Sequence, residues 1–202
     1  MKVRDSGMPE EALWATFFDA PAILARLGFT DPQADIAEFG CGYGTFTVAA
    51  AARTRGTVFA FDIEPAMLEA TQAKVRKAGL PNVRAVLRDF ATHGTGLADD
   101  SVTYALLFNI LHAEQPVALL SEAARLLHPG GAVGVIHWNC DPRTPRGPAL
   151  SIRPRPEQRQ GPMCQAGFQL ASPVLELPPY HFGLVGRKAH SPRRFPDPAD
   201  SD

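Results

Sequence analysis

Three glycines at alternate positions are the feature of the sequence with the clearest chemical meaning. Gly40, Gly42 and Gly44 lie between an apolar run, 35–39, and an alanine-rich segment that begins at Thr45. Glycine lets the main chain approach a ligand closely, and a helix that begins after such a turn offers unpaired N–H groups. The spacing therefore predicts a ligand-binding loop between a strand and a helix, rather than a simple tight turn.

Two aspartates follow the next two apolar runs. Asp62 comes 20 residues after Gly42, where a carboxylate can accept hydrogen bonds from both hydroxyls of a ribose. It can also cap the helix that begins near Pro65, and the two roles are compatible. Asp89 and Phe90 put a carboxylate and an aromatic ring where an adenine could lie, with an ordinary turn aspartate as the alternative.

The apolar runs also predict the elements that position these residues. Short apolar runs alternate with amphipathic segments, which is typical of a parallel sheet covered by helices on both faces. In such a sheet, ligands bind beyond the carboxyl ends of the strands. Helices are predicted at 9–20, 21–27, 45–53, 65–77 and 116–127. Strands are predicted at 35–39, 57–61, 83–87, 102–108 and 132–138, with an antiparallel pair, 173–177 and 182–186, at the sheet edge.

Composition limits the classes of protein to which the chain can belong. Its 202 residues are 45% hydrophobic and 20% charged, which suits one domain with a sizeable core and no membrane span. The net charge of -1 gives no global attraction to nucleic acid or anionic lipid. Three cysteines are too few for a disulfide framework, and the polar N-terminus lacks a signal-peptide core, so a cytoplasmic location is expected.

One domain is expected over residues 1–190. It begins with a helical segment, 1–28, and includes a loop rich in proline and arginine, 139–160. Proline makes such a loop stiff, and loops often determine specificity. Residues 191–202 are expected to form a flexible tail.

The motifs together resemble those of the class I S-adenosylmethionine-dependent methyltransferases that act on small molecules. The resemblance covers residues 35–138 and rests on the segments 38–44, 61–67, 88–90 and 124–131. It implies a doubly wound α/β fold with a mostly parallel, seven-stranded sheet whose last strand is antiparallel. It also implies S-adenosylmethionine as the cofactor and methyl transfer as the reaction.

The resemblance further implies roles for the matching residues. The turn of residues 40–44, called the glycine turn below, would hold the methionine part of the cofactor, with Glu38 orienting its amino group. Asp62 would bind the ribose, and Asp89 would face the adenine amino group. The implied cofactor-binding residues are Glu38, Gly40, Cys41, Gly42, Gly44, Asp62, Ile63, Asp89, Phe90, Phe108 and Asn109.

Several branches of the family do not fit the sequence. The exit of the fourth strand lacks the Asn-Pro-Pro-Tyr motif of enzymes that methylate the amino groups of adenine or glutamine, and no Pro-Cys dipeptide supplies a nucleophile for cytosine C5. Asn109 stands where metal-dependent catechol-type enzymes have an acidic ligand, so no metal is expected. Cys140 and Cys164 alone remain for the thiolate chemistry of arsenite-type enzymes, because Cys41 belongs to the glycine turn.

Five residues are candidates for the acceptor side. His112 could act as a base or make only a local hydrogen bond, and Trp14 and Trp138 could form walls or simply pack. Arg143 and Arg146 could grip a carboxylate or phosphate, with a solvated loop as the alternative. We expect a small-molecule acceptor, and neither nucleic acid nor a membrane as partner.

Two other classes of protein remain as alternatives. A nicotinamide-dependent oxidoreductase would need Gly-x-Gly-x-x-Gly, whereas here the third glycine is Gly44 and position 45 is Thr. A binding module could keep the fold and the cofactor without turnover, because fold does not imply function.

Overall fold

One sheet organises the part of the chain that the computed structural model describes, residues 9–190. Within it, the strands are β1 (Ile36–Phe39), β2 (Val58–Asp62), β3 (Val83–Leu87), β4 (Val102–Phe108), β5 (Leu127–Trp138), β6 (Phe168–Leu170), β7 (Leu175–Leu177) and β8 (His181–Lys188). Their order is β3-β2-β1-β4-β5-β8-β6, and the short β7 also pairs with β8. Strands β1 to β5 are parallel, and β8 runs antiparallel to its neighbours.

Helices cover both faces of this sheet. Four of them have proline in the first turn, where the missing N–H costs no hydrogen bond. In chain order the helices are α1 (Glu11–Ala15), α2 (Ala20–Arg26), α3 (Thr45–Ala51), α4 (Pro65–Lys77), α5 (Phe90–His93), α6 (Pro116–Leu126) and α7 (Pro156–Gln165).

The central strand β1 shows how the core is divided. All four of its residues are buried, because the sheet is covered on both sides. Ala37 and Phe39 belong to the core cluster that includes α6, while Ile36 belongs to the cluster that includes α2 and α3. Glu38 alternates with Phe39 and therefore points to the α3 side.

The parallel register of the strands brings their carboxyl ends together. Phe39 pairs with Phe61 of β2 and Leu107 of β4, and Asp62 pairs with Leu87 of β3. The residues that follow β1, β2, β3 and β4 therefore meet at one edge of the sheet, where the sequence places its motifs.

The predicted fold class is confirmed, and β3 and β4 have the predicted bounds. The predicted helix 9–20 is wrong, because α1 covers only Glu11–Ala15 and α2 already begins at Ala20. Thr16 donates its hydroxyl to the carbonyl of Leu13, and Asp19 accepts from the backbone N–H of Ala22, so one helix ends and another is capped.

Four further predictions need correction. Counting only residues 9–190, the sheet has eight strands rather than seven, and β8 lies between β5 and β6 rather than at the edge. Strand β5 begins at Leu127, not 132, because the chain becomes extended directly after α6 and Leu127 pairs with Val102. Helix α5 and strand β6 were not predicted. The 139–160 loop ends in α7, where the side chain of Gln158 accepts from the N–H of Arg155.

The ends of the chain are not part of this description. The predicted tail, 191–202, and residues 1–8 of the N-terminal segment lie outside the described residues. Among the described helices, none combines the length and apolar character that a membrane span requires.

Candidate active site

A cavity of about 770 Å³ opens at the carboxyl ends of β1 to β5. Small-molecule and cofactor sites typically occupy about 300–1,000 Å³, so the space suits a cofactor with a further small molecule. All predicted site residues except Gly44 and Arg143 line it, namely Trp14, Glu38, Gly40, Cys41, Gly42, Asp62, Ile63, Asp89, Phe90, Phe108, Asn109, His112, Trp138 and Arg146.

The glycine turn forms the floor of one end of the cavity. Gly40, Gly42 and Gly44 have φ values of 77°, 52° and 72°, in the left-handed region that favours glycine. The N–H groups of Gly40 and Cys41 both donate to the carbonyl of Phe61, at 2.9 Å each, which fastens the turn to β2. The main chain is thus held with little side-chain bulk towards the cavity.

Gly44 supports this turn from behind. A Cβ added to Gly44 would lie 2.8 Å from Oγ1 of Thr71 and 3.1 Å from its Cα. The Thr71 hydroxyl in turn donates to the carbonyl of Gly42 at 2.8 Å. The third glycine is therefore needed for close packing of α3 against α4, which explains why it does not line the cavity.

Asp62 lies where its carboxylate can serve both the protein and a ligand. It is buried, with one oxygen accepting from the N–H of Gly42 at 2.8 Å and the other from the N–H of Glu64 at 3.0 Å. Each carboxylate oxygen can accept a second hydrogen bond. Two vicinal hydroxyls on a ribose would match that capacity, so the structural role and the ligand role are compatible.

Glu38 is a second buried carboxyl at the same end. Burial raises its pKa to about 8; the hydrogen bond from the Thr47 hydroxyl, at 2.5 Å, opposes that rise, and the charge of Asp62 adds to it. A buried carboxyl of this kind becomes ionised when a cation is placed beside it. The ammonium group of an amino acid moiety is such a cation.

Cys41 has no nucleophilic character in this setting. Burial is the main cause that raises the pKa of its thiol, and the nearby Glu38 adds to the effect. Since the thiolate is the reactive form, this side chain serves packing under the glycine turn.

The opposite wall of this end of the cavity is built from residues that follow β2 and β3. Asp89 caps α5 by accepting from the N–H and the hydroxyl of Thr92, at 3.0 and 2.8 Å, so the turn role that the sequence left open is present. Phe90 is buried and packs edge-on to Phe39, whereas Ile63 is 37% exposed at the rim. Asp89 and Phe90 line the cavity in addition to these contacts.

The exit of β4 supplies polar groups to the other end of the cavity. Asn109 has a φ of 58°, and both polar atoms of its amide are buried without a hydrogen-bond partner among the described residues. Both ring nitrogens of His112 are also buried without such a partner. Burial, and secondly the guanidinium of Arg159, lower the pKa of His112 to about 4. The imidazole is therefore neutral near pH 7.

Aromatic side chains form a wall at this end. The rings of Trp14 and Trp138 lie 6.4 Å apart, and Phe17 packs between α1 and β5 at 5.4 Å from Trp138. The segment just before α1 is tied to the glycine turn by a hydrogen bond from the Tyr43 hydroxyl to the carbonyl of Pro9. Both tryptophans therefore line the cavity and also pack.

The two arginines predicted for the acceptor side have different positions. Arg146, with its neighbours 145 and 147, lines the cavity. The Arg143 side chain is 89% exposed and pairs with Asp141 at 2.8 Å, outside the cavity. The structure therefore brings one of these two arginines to the site.

Sequence reasoning missed several lining residues. Tyr43 lies within the glycine turn and Phe46 lies two residues after it, so their positions were available as a signal. Met67 lies in the 61–67 motif but was not assigned to the site, whereas Ile110 and Gly147 come from segments without a cofactor motif and are brought in by the tertiary structure. No group of three or more His, Cys, Asp or Glu side chains within residues 9–190 is placed to hold a metal ion.

Comparisons with known proteins agree with this geometry. Residues 36–131 match the family model described as a methyltransferase domain. An uncharacterized protein of Mycobacterium tuberculosis is 28% identical over 122 residues, which cover 60% of this chain and 43% of that protein. The chain thus matches less than half the length of this curated relative.

Solved structures share the fold. A SAM-dependent methyltransferase from Aquifex aeolicus is similar with a TM-score of 0.77 and 22% identity, covering 88% of this chain and 93% of that one. The [4+2]-cyclase SpnF is similar with a TM-score of 0.72 and 15% identity, covering 93% and 85%. Taken with the family match, the fold and the cavity, this shows that the chain carries a class I S-adenosylmethionine-dependent methyltransferase domain, whose cofactor is S-adenosylmethionine.

Proposed function

We propose that this protein is an enzyme that transfers the methyl group of S-adenosylmethionine to a small acceptor with an anionic or polar group. The cavity carries the proposal, because the carboxyl groups that suit the cofactor and the polar groups suited to an acceptor share one space. The bound cofactor supplies a methyl group on a positively charged sulfur, which is a strong electrophile. The residues of the chain therefore act mainly by alignment and by excluding water.

The cofactor end has the donors and acceptors that this ligand requires. Asp62 has one unused acceptor position on each oxygen for the ribose hydroxyls. Glu38 would become a carboxylate beside the ammonium group, with Thr47 supporting the ionised form. Phe90 and Ile63 would enclose the adenine, with Asp89 near its amino group.

The charges along the cavity support an anionic acceptor. At the cofactor end the acidic side chains Asp62, Glu64 and Asp89 outnumber the one basic side chain, Arg88, that lines the cavity there. Arg146 lies at the other end, and the guanidinium of Arg159 acts on His112 there. A carboxylate or phosphate on the acceptor would be attracted to this basic end and repelled from the acidic one.

His112 would orient the acceptor atom. Its neutral ring has an available lone pair near pH 7, and it lines the same end of the cavity as Asn109. It could therefore accept a hydrogen bond from a hydroxyl or amine, and then the proton. The lowered pKa of His112 suits it better to orienting that hydrogen than to keeping the proton afterwards.

We also propose a cytoplasmic location and a small-molecule partner. Cys41, Cys140 and Cys164 are all free thiols, which suits a reducing compartment. The balanced charge of the chain supports a small molecule rather than nucleic acid as the partner.

A second candidate function is cofactor binding without methyl transfer. The fold of this chain is shared with a protein described as a [4+2]-cyclase, so the fold does not by itself dictate methyl transfer. Under this alternative the residues of the cofactor end would keep their roles. The nicotinamide-dependent alternative is not retained, because the family match gives S-adenosylmethionine as the cofactor.

Two measurements test the proposal. Calorimetry should show binding of S-adenosylhomocysteine but not of NADH. Protein incubated with methyl-labelled cofactor and a fractionated metabolite extract should then label a small, anionic product, while Asp62→Ala protein should not. Tight binding without any labelled product would favour the second candidate, and absent binding would contradict both.

A further inference from the structure

Arg153 is unusual among the basic side chains of the described residues because it is buried, with an exposed fraction of 7%. Its guanidinium donates to the backbone carbonyls of Asn139 at 2.9 Å, Pro148 at 2.8 Å and Arg146 at 3.2 Å. It also donates to the hydroxyl of Thr144. One side chain thus binds four points of the 139–153 loop, the segment between β5 and the residue itself.

This guanidinium is held by neutral acceptors alone. No carboxylate among the described residues pairs with it, and burial lowers its pKa from the usual value. Removing a cation from water without a counter-charge is costly unless its donors are satisfied. The planar fork of arginine has five N–H donors in fixed directions, and a lysine could not reach the same acceptors together.

Gly147 links this group to the wall of the cavity. Its φ is 111°, and an added Cβ would lie 2.8 Å from Cγ of Trp138 and 3.0 Å from Nη2 of Arg153. The backbone at Gly147 is therefore packed between the indole and the guanidinium. Its neighbour Arg146 lines the cavity and presents its carbonyl to Arg153.

We propose that Arg153 is a positioning residue which holds the 139–153 loop against Trp138, so that the acceptor end of the cavity is formed before any ligand binds. Arg153 does not line the cavity and acts through residues 145–147, which do. A preformed wall avoids the entropy cost of ordering a loop on binding. The part of this inference that concerns the acceptor rests on the proposed function.

The sequence offers a selective test by limited proteolysis. Trypsin can cut the loop after Arg143 and Arg146, whereas Arg153 and Arg155 are each followed by proline and are poor sites. Cleavage in a folded protein reports how often the segment opens. Arg153→Gln should speed cleavage between Arg146 and Gly147 by at least about tenfold, measured by mass spectrometry. Arg155→Gln removes an exposed guanidinium from the same segment and should leave the rate within about twofold.

A second readout follows the contact with Trp138. In a Trp14→Phe background Trp138 is the only tryptophan, so its emission and its quenching by acrylamide report the packing of Gly147. Arg153→Gln should red-shift the emission and raise the quenching. Arg153→Lys keeps the charge without the fork, so it should resemble Arg153→Gln.

Binding of S-adenosylhomocysteine separates positioning from general stability. Affinity should stay within about twofold of wild type in Arg153→Gln, because the cofactor end is built from other segments. Unchanged cleavage and unchanged emission in Arg153→Gln would overturn the proposal, as would full protection by Arg153→Lys or a loss of cofactor affinity equal to the loss of protection. If the wild type failed to bind S-adenosylhomocysteine, the proposed function would fail, while cleavage and emission would still decide the role of Arg153.

Discussion

Replacing Glu38 by glutamine should stabilise the fold at alkaline pH and weaken binding of the cofactor. Burial raises the pKa of Glu38 from an ordinary value of 4.5 to about 8. The folded state therefore holds this proton more tightly than the unfolded state, so stability is lost as pH rises from 4.5 to about 8. Each pKa unit is worth about 1.4 kcal/mol, so the loss is at most about 5 kcal/mol.

Glutamine keeps the shape and an oxygen that can accept from Thr47, but it does not titrate. The free energy of unfolding of Glu38→Gln minus that of wild type should be near zero at pH 5 and should reach at least about 2 kcal/mol at pH 8.5. Urea unfolding at intervals of pH measures this difference. Taking a difference removes the titration of the histidines, which is common to both proteins.

Glu69→Gln, on the exposed face of α4, is the matched control and should show no such dependence. A difference that stays constant with pH, or one that shrinks as pH rises, would refute the reasoning about Glu38.

The same carboxyl should release its proton when the cofactor binds. At pH 7 Glu38 is protonated, and the ammonium group of S-adenosylhomocysteine favours the carboxylate. Calorimetry in buffers of different ionisation enthalpy should detect release of about one proton in wild type and none in Glu38→Gln. Affinity should rise with pH between 6 and 8 in wild type only. Binding without proton release would place the ammonium group away from Glu38.

Three further predictions follow from the site. Asp62→Ala should weaken S-adenosylhomocysteine binding by at least about tenfold, since charge-assisted hydrogen bonds are worth about 1.5–3 kcal/mol each. An unchanged Kd, measured by calorimetry, would contradict the ribose role of Asp62. Gly44→Ala should lower the free energy of unfolding by about 1–3 kcal/mol, because the added methyl group clashes with Thr71. The control Gly161→Ala should not lower it, since an added Cβ there meets nothing within 4 Å, and equal unfolding midpoints of the two variants in urea would exclude the clash. Because the pKa of His112 is lowered to about 4, the free energy of unfolding should fall as pH drops from 6.5 towards 4. His112→Gln should reduce that fall, and an acid-unfolding curve that is the same in this variant as in wild type would contradict the prediction.

Those parts of the fold that are buried on both faces could be predicted from the sequence. Strand β4 is buried along almost its whole length and therefore appears as a nearly continuous apolar run, 102–108. Helix α7 was missed because Met163 is its only buried residue and Pro162 lies within it, so no apolar period exists to detect. The place of β8 beside β5 was missed because strand order is a long-range property, which local patterns do not encode.

The grouping of residues at the glycine-turn end of the cavity could be predicted for a related reason. Its groups are the ends of successive strands, so the spacing from Gly42 to Asp62 in the sequence already reflects one βαβ unit. The N–H of Gly42 donates to the carboxylate of Asp62 at 2.8 Å, so the two residues that the spacing relates are in direct contact. Local motifs and the site therefore coincide at this end.

The other end of the cavity, which we propose for the acceptor, is assembled from segments that lie far apart in the sequence. Its lining residues come from four separate elements, and no short motif links them. They are Trp14 from α1, His112 after β4, Trp138 at the end of β5 and Arg146 from the 139–153 loop. Among four arginines in one proline-rich segment, Arg153 is buried and Arg143 pairs with Asp141 in solvent, a distinction that composition does not contain. If Arg153 holds the wall proposed for the acceptor, we expect changes within 145–147 to alter the choice of acceptor while the glycine-turn end of the cavity keeps its geometry.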